Sequence, residues 1–304
     1  MELQLNTKKK SSRTAASDKI FYTIVYTIIS LIVVVVLYPV VYTLSASFSS
    51  GPAVTAGRVL LWPVDLSVTG YELVLQNKMV YQGYMNTLFY VFTETIINTV
   101  MTVLLAYALS RRDFSGKKFF DLFCIIVMFI GGGLIPTYVL VSNLGLTNTR
   151  MGIIVLGCVS LSNMVLVRTY FQSSIPGELL DSARLDGASD IYYLTNIAIP
   201  LAKPVLSVII LYSVVGSWNS YMTPMLYLRS RELLPLQVVL RSILVSTKVN
   251  AGDYQDGSIM AKMQEAADAM KYALIVVSTV PMLVFYPFVQ KFFEKGVMVG
   301  ALKG

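Results

Sequence analysis

The feature that most constrains this chain is a series of long, nearly charge-free apolar runs, each close to the length that crosses a bilayer. Only 13% of the residues are charged, whereas an average soluble domain carries about 25%. This pattern excludes a soluble enzyme, a disordered protein and a small disulfide scaffold. The sequence therefore predicts an all-α, polytopic membrane protein.

Six apolar runs are each predicted to form one transmembrane helix. The predicted spans are residues 20–44, 85–110, 119–140, 151–167, 205–228 and 272–290. The first run is too long for a cleaved signal peptide and is predicted to remain as a helix. The transmembrane domain then covers residues 20–290, with tails at 1–19 and 291–304 and a large loop at 168–204. Three glycines at 131–133, just before Pro136, are expected to break or kink the third span.

The distribution of basic residues predicts the orientation. Of the 24 Lys and Arg residues, 15 fall in the tails and loops assigned to the inside, and the bias is strongest beside the first two spans. Both termini and the loop 168–204 are therefore predicted to be cytoplasmic (N-in, C-in). Stretches 45–84 and 229–271 are predicted to lie outside, and residues 261–268 to form a short helix. The net charge of +7 then reflects orientation and does not indicate a nucleic-acid partner.

The chain offers little catalytic or metal-binding chemistry. It has no His, which excludes a His-based metal site or proton relay. Cys124 and Cys158 both lie in apolar runs and are expected to be buried apolar residues, so no metal site is predicted. A Gly-x-x-x-x-Gly-Lys-Ser/Thr motif is absent, so the chain lacks the phosphate cradle of an ATPase. No catalytic residue is predicted.

The loop 168–204 contains signals for a first short helix. Pro176 is placed to start it, and Glu178 falls in its first turn. Leu180, Ala183 and Leu185 are expected to form one apolar edge of this helix.

A turn and a second short helix are predicted to follow. Asp186-Gly187 offers the turn, because Gly can take a positive φ. Ser189 is placed to cap the second helix, and Pro200 and Pro204 are expected to end it before the fifth span. The loop thus predicts two short helices with a bend between them, lying on the cytoplasmic face.

The spacing within this loop resembles the signature of the membrane subunits of bacterial ABC importers. That signature is Glu-Ala-Ala, three residues, Gly, nine residues, Ile, one residue and Leu-Pro. Residues 181–183 stand for the triplet, and Gly187, Ile197 and Ile199-Pro200 follow at the matching spacings. The departures are Asp for Glu at 181, Ser for Ala at 182 and Ile for Leu at 199.

Other motifs resemble the sugar-importer branch, and the similarity covers about residues 20–304. They are Asn86, Ala106-Tyr107-Ala108 with Arg111, Trp218-Asn219 and the tail 295–304. Residues 131–136 and 143–146 resemble the subgroup associated with oligosaccharides from complex polysaccharides. The whole pattern is similar to the MalG-like half of a permease in carbohydrate uptake transporter family 1.

The resemblance implies a type I ABC importer permease fold and a role as half of an ATP-driven carbohydrate pathway in a bacterial cell membrane. The implied partners are a second homologous permease, an ABC ATPase dimer that binds ATP and Mg, and an extracytoplasmic solute-binding protein that contacts the outside stretch 229–271. The chain itself would bind no cofactor.

The resemblance also implies two contacts with the ATPase. The loop would couple to it, with Gly187 allowing close backbone packing and Glu178 or Arg184 pairing with ATPase residues. The tail would reach into the ATPase dimer interface. The implied coupling residues are Glu178, Asp181, Ser182, Ala183, Asp186, Gly187, Ile197 and Pro200, and those of the tail are Lys295, Gly296, Gly300 and Gly304.

Polar and aromatic residues within the spans are candidates for the substrate pathway, although each is equally compatible with helix packing. They are Glu94, Asn98, Trp218, Asn219 and Tyr221, with Asn163 and Tyr212 as further candidates. Glu94 is the only acidic residue well inside a predicted span. It keeps open an alternative of another class, an ion-coupled secondary transporter that acts without an ATPase. Such transporters usually place several titratable groups in two repeated halves, and no repeat is visible here.

Overall fold

The computed structural model describes residues 13–249 and 257–301, with side chains placed for 18–245 and 265–287. Within these residues the regular structure is helical, which confirms the all-α class. Three helices are long and apolar enough to cross a membrane, and up to six spans result if each of three bent helix pairs counts as one. The predicted six spans lie at the upper end of that range.

The helices are numbered in chain order. They are α1 (Arg13–Ser47), α2 (Gly51–Thr55), α3 (Thr69–Gln76), α4 (Lys78–Ser110), α5 (Lys117–Phe129), α6 (Leu134–Asn143), α7 (Arg150–Leu156), α8 (Leu161–Ser174), α9 (Glu178–Leu185), α10 (Asp190–Leu201, with a π turn at Leu194–Ala198), α11 (Lys203–Trp218), α12 (Met222–Tyr227), α13 (Leu236–Val249) and α14 (Gly257–Ala301).

Described residues up to 73 and from 257 to 276 form one compact unit. Gly51 and Gly70 lie directly against α14, where an added Cβ would collide with the carbonyl oxygens of Glu265 and Ala269. Only glycine fits at these two contacts. By contrast, most of α1 is apolar and exposed on all sides, as expected for a helix whose surroundings are lipid or a partner helix.

The second unit contains residues 74–249 and 277–301, and α4 is its central helix. This helix packs against α8, α11 and α13. The core between α4, α8 and α11 includes the fully buried side chains of Leu109, Met164 and Ile209. In a bilayer such helices associate mainly through close van der Waals packing, because lipid tails are as apolar as leucine.

Buried polar side chains on α4 hold the chain segment that precedes α13. The Asn86 amide donates to the carbonyl oxygens of Glu232 at 2.7 Å and Leu234 at 3.1 Å. The Thr87 hydroxyl accepts from the backbone N–H of Leu236 at 2.8 Å. Non-helical backbone beside a membrane helix needs such partners, since lipid offers none. These hydrogen bonds explain why an asparagine is suited to position 86, which sequence analysis had singled out only through the family resemblance.

The second and third predicted spans differ from the observed helices at their ends. Helix α4 begins at Lys78 and not at residue 85, because Asn77 caps it by accepting from Met79 N–H at 3.0 Å. The expected kink at the glycine run is confirmed. Helices α5 and α6 meet at 113°, and Gly133 takes a positive φ of 77°.

The fourth and fifth predicted spans each contain a break between two helices. Helix α7 ends at Leu156 and α8 begins at Leu161 with a bend of 46°, since Ser160 caps α8 by accepting from Asn163 N–H. Helix α11 ends at Trp218, and α12 follows as a separate piece. The first break lies at residues 157–160 within an apolar run, so hydropathy alone does not reveal it, whereas the second lies in the polar sequence Asn219-Ser220-Tyr221.

Two further boundaries need correction. Residues 261–268 are not a separate short helix but part of α14, which continues through the predicted sixth span. The loop predicted at 168–204 is shorter, because α8 extends to Ser174 and α11 starts at Lys203.

Candidate functional site

The predicted coupling loop folds into α9 and α10, joined by a tight turn at Gly187. Gly187 has a φ of 75°, and its N–H bonds to the Arg184 carbonyl at 3.0 Å while Ala188 N–H bonds to the Ala183 carbonyl at 2.9 Å. This pair of bonds is the Schellman motif, which favours glycine at the left-handed position. The predicted turn at Asp186-Gly187 is therefore confirmed.

The N-terminal cap of α10 is also confirmed, and the helix ends between the two prolines as predicted. Ser189 accepts from Tyr192 N–H at 3.2 Å. Pro200 lies in the last turn of the helix, which ends at Leu201 and then turns by 83° into α11. Pro204 lies in the first turn of α11, where a missing N–H costs no helical hydrogen bond.

The inward side of the loop packs on the core of α4 and α8. Ala183 is buried, and Leu180 and Ile197 pack against the same cluster. Leu185 does not belong to this apolar edge, as had been expected, because its side chain is 89% exposed. Ala183 and Ile197 thus support the loop from inside and do not lie on its outer surface.

The outward side of the loop is a mixed apolar and acidic surface, which we call the tip. Leu185 and Ile191 are 89% and 75% exposed, and Tyr192 is also exposed. The acidic and polar predicted coupling residues that share this exposure are Glu178, Asp181, Ser182 and Asp186, and Pro200 is exposed as well. Exposed apolar side chains rimmed by polar ones are typical of a protein interaction surface.

The expected close packing at Gly187 is not present within the chain. An added Cβ would find no atom within 4 Å. The glycine is required by its positive φ, which non-glycine residues adopt at a cost of about 1–2 kcal/mol.

Four charged residues, here called the charge cluster, tie the tip to the end of α4. Arg111 follows directly after α4 and donates to Asp113 at 2.9 and 2.8 Å and to Asp190 at 2.9 Å. Arg184 of α9 donates to the same Asp113 at 2.5 Å. The Arg111 side chain is only 10% exposed, whereas the other three are about half exposed.

The charge cluster has a consistent electrostatic signature. Hydrogen bonds from Arg111 and Arg184 hold the pKa of the Asp113 carboxyl well below its usual range. For Arg111 the direction is the opposite, because the hydrogen bond to Asp113 raises the pKa of its guanidinium. A single exposed ion pair contributes only ~0.2–1 kcal/mol to folding stability. A network of several charges around a bidentate guanidinium stabilises the fold more reliably than an isolated pair does. Arg184, expected to face a partner ATPase, instead makes its ion pair within the chain.

Sequence reasoning missed Asp113 and also a second ion pair. Arg168 of α8 donates to Asp121 of α5 at 2.6 and 3.0 Å, with both side chains mostly shielded from solvent. Arg111 was marked by the family resemblance, but no local signal paired it with Asp113.

A polar cavity of about 350 Å³ lies between α4, α11 and the break that separates α7 from α8. The lining residues are Glu94, Asn98, Ile153, Leu156, Gly157, Ser160, Asn163, Tyr212, Ser213, Gly216, Ser217, Ser220 and Thr223. Four pathway candidates named from the sequence, Glu94, Asn98, Asn163 and Tyr212, are therefore brought together.

Asn98 stabilises the break on one wall of this cavity. Its amide donates to the Gly157 carbonyl at 2.8 Å, and its oxygen accepts from Ser213 at 3.1 Å. The Gly157 carbonyl has no helical partner because α7 has ended, so Asn98 replaces the missing N–H. Broken helices within membrane proteins are tolerated where they line such a cavity.

The other three pathway candidates do not line the cavity. Trp218 is buried and donates through Nε1 to the Ser278 carbonyl at 3.2 Å, so it packs α11 against α14. Asn219 follows directly after α11 and donates to the Val215 carbonyl of that helix at 2.9 Å. The Tyr221 ring lies under the guanidinium of Arg241, 4.5 Å from the ring centroid.

The tail lies at the limit of the described residues. Lys295, Gly296 and Gly300 belong to the last turns of α14, without described side chains, and Gly304 lies outside the described residues. Most of the N-terminal tail 1–19 also lies outside them.

The chain is similar to several known proteins, although no protein-family model matches it. It is 33% identical to the Bacillus subtilis polygalacturonan/rhamnogalacturonan transport system permease protein YtcP, over 86% of this chain and 90% of the relative. It is 31% identical to Bacillus subtilis protein LplC, over 86% and 87% of the two chains. A crystal structure of a bacterial ABC transporter involved in the import of the acidic polysaccharide alginate contains a chain that is 35% identical, with a TM-score of 0.83 over 93% of this chain and 99% of that one.

Proposed function

The chain belongs to the transmembrane permease subunits of bacterial ABC sugar importers, and we propose that it receives movement from a separate ATPase through the tip of α9 and α10. Permeases of this family do not hydrolyse ATP themselves, and their ATPase is a separate subunit. The comparisons lend no support to the ion-coupled transporter that the sequence had left open.

The observation that carries this proposal is the attachment of an exposed tip to the central membrane helix. Leu185, Ile191 and Tyr192 are exposed on the outer surface. On the inner side, Arg111 at the end of α4 bonds to Asp190 at the start of α10. A partner that displaces the tip would therefore pull on α4 through the charge cluster, and α4 carries Glu94 and Asn98 in the cavity wall.

The tip fits a partner groove that is apolar at its centre. Leu185 would insert into the apolar centre of the groove, and the acidic residues around it would contact basic groups at the edge of the groove. ATP and Mg are bound by this partner ATPase dimer, to which the C-terminal tail adds a second contact. The predicted cytoplasmic orientation places the tip and the tail on the ATPase side of the bacterial cell membrane.

The remaining partners follow from the family and from the cavity. One permease chain encloses only part of a pathway, so a second, homologous permease completes it. An extracytoplasmic solute-binding protein delivers the sugar to the outside stretch 229–271. The relatives named for sugar or polysaccharide transport support an oligosaccharide as the substrate.

The test is a matched pair of charge insertions at exposed leucines. Leu185→Asp is expected to abolish co-purification of the ATPase and sugar uptake while leaving membrane insertion intact. The control is Leu66→Asp, because Leu66 is 80% exposed but lies in the predicted outside stretch 45–84. Retained ATPase binding by Leu185→Asp, at the level of the control, would refute the tip as the docking surface.

A further inference from the structure

The polar cavity is lined by an acidic residue and by no basic one, which is the wrong charge for a path that carries acidic sugars. Among its lining residues, Glu94 contributes a carboxylate, and none is Lys or Arg. Within the described residues, Glu94 also makes no ion pair with a basic side chain. Arg150 is a basic residue near the outer half of α4, but it is engaged by the Asn86 side-chain oxygen at 3.1 Å and by the Phe89 ring, and it does not line the cavity.

Glu94 lies directly against the helix break. Its carboxyl carbon would be 3.4 Å from a Cβ added to Gly157, which is van der Waals contact distance. One turn further along α4, Asn98 holds the Gly157 carbonyl. The break, the glycine and the amide therefore form a wall into which the carboxylate fits.

The rest of the lining has groups that suit a sugar. Asn163, Ser220 and Thr223 offer hydrogen-bonding side chains, and Tyr212 offers an aromatic ring, the residue being 53% exposed. A carboxylate accepts hydrogen bonds from two hydroxyl groups at once and makes them stronger than neutral acceptors do. A uronate sugar at the same place would instead bring a second negative charge beside Glu94, and a cavity screens such repulsion less than open water does.

We propose that Glu94 makes this half of the pathway selective for uncharged oligosaccharides and against uronate-containing ones. This inference rests on the proposed function as a sugar-importer permease and adds the substrate class. It sets the chain apart from relatives whose names refer to polygalacturonan or to alginate, both acidic polysaccharides.

The experiment uses the complete importer in its host. Cells that lack this chain are complemented with the wild type, with Glu94→Gln or with Glu72→Gln, and are given a mixture of neutral and uronate-containing oligosaccharides of matched length. Mass spectrometry of the cell contents gives the ratio of neutral to uronate uptake. The control, Glu72→Gln, removes an exposed carboxylate of α3 that does not line the cavity.

The wild type is expected to favour neutral sugars by about tenfold or more. Glu94→Gln is expected to lower that ratio at least fivefold, because it removes the charge and keeps the shape, and Glu72→Gln is expected to keep the wild-type ratio. All strains share one solute-binding protein, so a changed ratio reports on the permease.

Two results would overturn the proposal while leaving the importer function in place. One is uptake of uronate sugars by the wild type that equals or exceeds uptake of neutral ones. The other is an unchanged ratio in Glu94→Gln. If uptake of neither class depends on the chain, the importer function fails, and the selectivity proposal fails with it.

Discussion

Replacing Gly187 tests whether the tip depends on a backbone conformation or on a lack of bulk. Gly187 has a φ of 75°, and an added Cβ would meet no atom of this chain within 4 Å. The cost of Gly187→Ala is then the cost of the left-handed conformation, ~1–2 kcal/mol. That corresponds to a 5–30-fold loss in the ratio of formed to unformed turn.

The order of two variants separates the explanations. Asparagine adopts the left-handed region several-fold more readily than most residues, although its side chain is larger than that of alanine. If conformation matters, Gly187→Asn retains more sugar-stimulated ATP hydrolysis in reconstituted importer than Gly187→Ala. If the ATPase instead approaches the glycine closely, alanine is tolerated better than asparagine. The second order would refute the conformational argument and restore close packing as the role of Gly187.

Three further predictions concern the charge cluster, the cavity wall and the tail. Asp113→Asn is expected to lower the free energy of unfolding by ~1 kcal/mol or less, given the exposure of the cluster. Because the folded-state pKa of Asp113 is lowered, its contribution is complete above about pH 4 and is lost as the pH falls further. Thermal unfolding in detergent between pH 7 and pH 3 should therefore show a weaker acid dependence in the variant, and equal slopes would contradict this. Asn98→Ala leaves the Gly157 carbonyl without its partner and should lower the free energy of unfolding by ~1–3 kcal/mol. The control Ser207→Ala removes an exposed hydroxyl that bonds within its own helix, and it should lower the free energy of unfolding far less. Similar losses in the two variants would rule out a role of Asn98 in stabilising the helix break. Deletion of residues 296–304 should weaken sugar-stimulated ATP hydrolysis without changing membrane insertion, and unchanged stimulation would leave the tail without a coupling role.

The local features of the candidate site were predictable from sequence. The Asp186-Gly187 turn and the Ser189 cap depend on residues within a few positions of one another, so their backbone preferences are visible in the sequence itself. The kink at residues 131–133 is of the same kind.

Features that depend on distant residues were not predictable in this way. Asp113 joins Arg184 across 71 positions, and nothing near either residue indicates the pairing. The failed prediction for Leu185 has a different origin. Residues two positions apart lie on different faces of a helix, so the burial of Ala183 leaves Leu185 exposed.

The sequence by itself determined that this is a membrane protein with six apolar runs and marked the loop that we propose couples to the ATPase, because apolar run length and motif spacing are properties of the chain read in one dimension. The tertiary structure decided where the fourth span breaks and which polar groups meet there. Asn98, Gly157 and Ser213 are far apart in sequence and lie in runs that look equally apolar, yet their side chains and backbone form one hydrogen-bonded wall. The physical reason is that a buried carbonyl freed by a helix break must find a donor from another helix, and only the packing of α4 against α7, α8 and α11 supplies it.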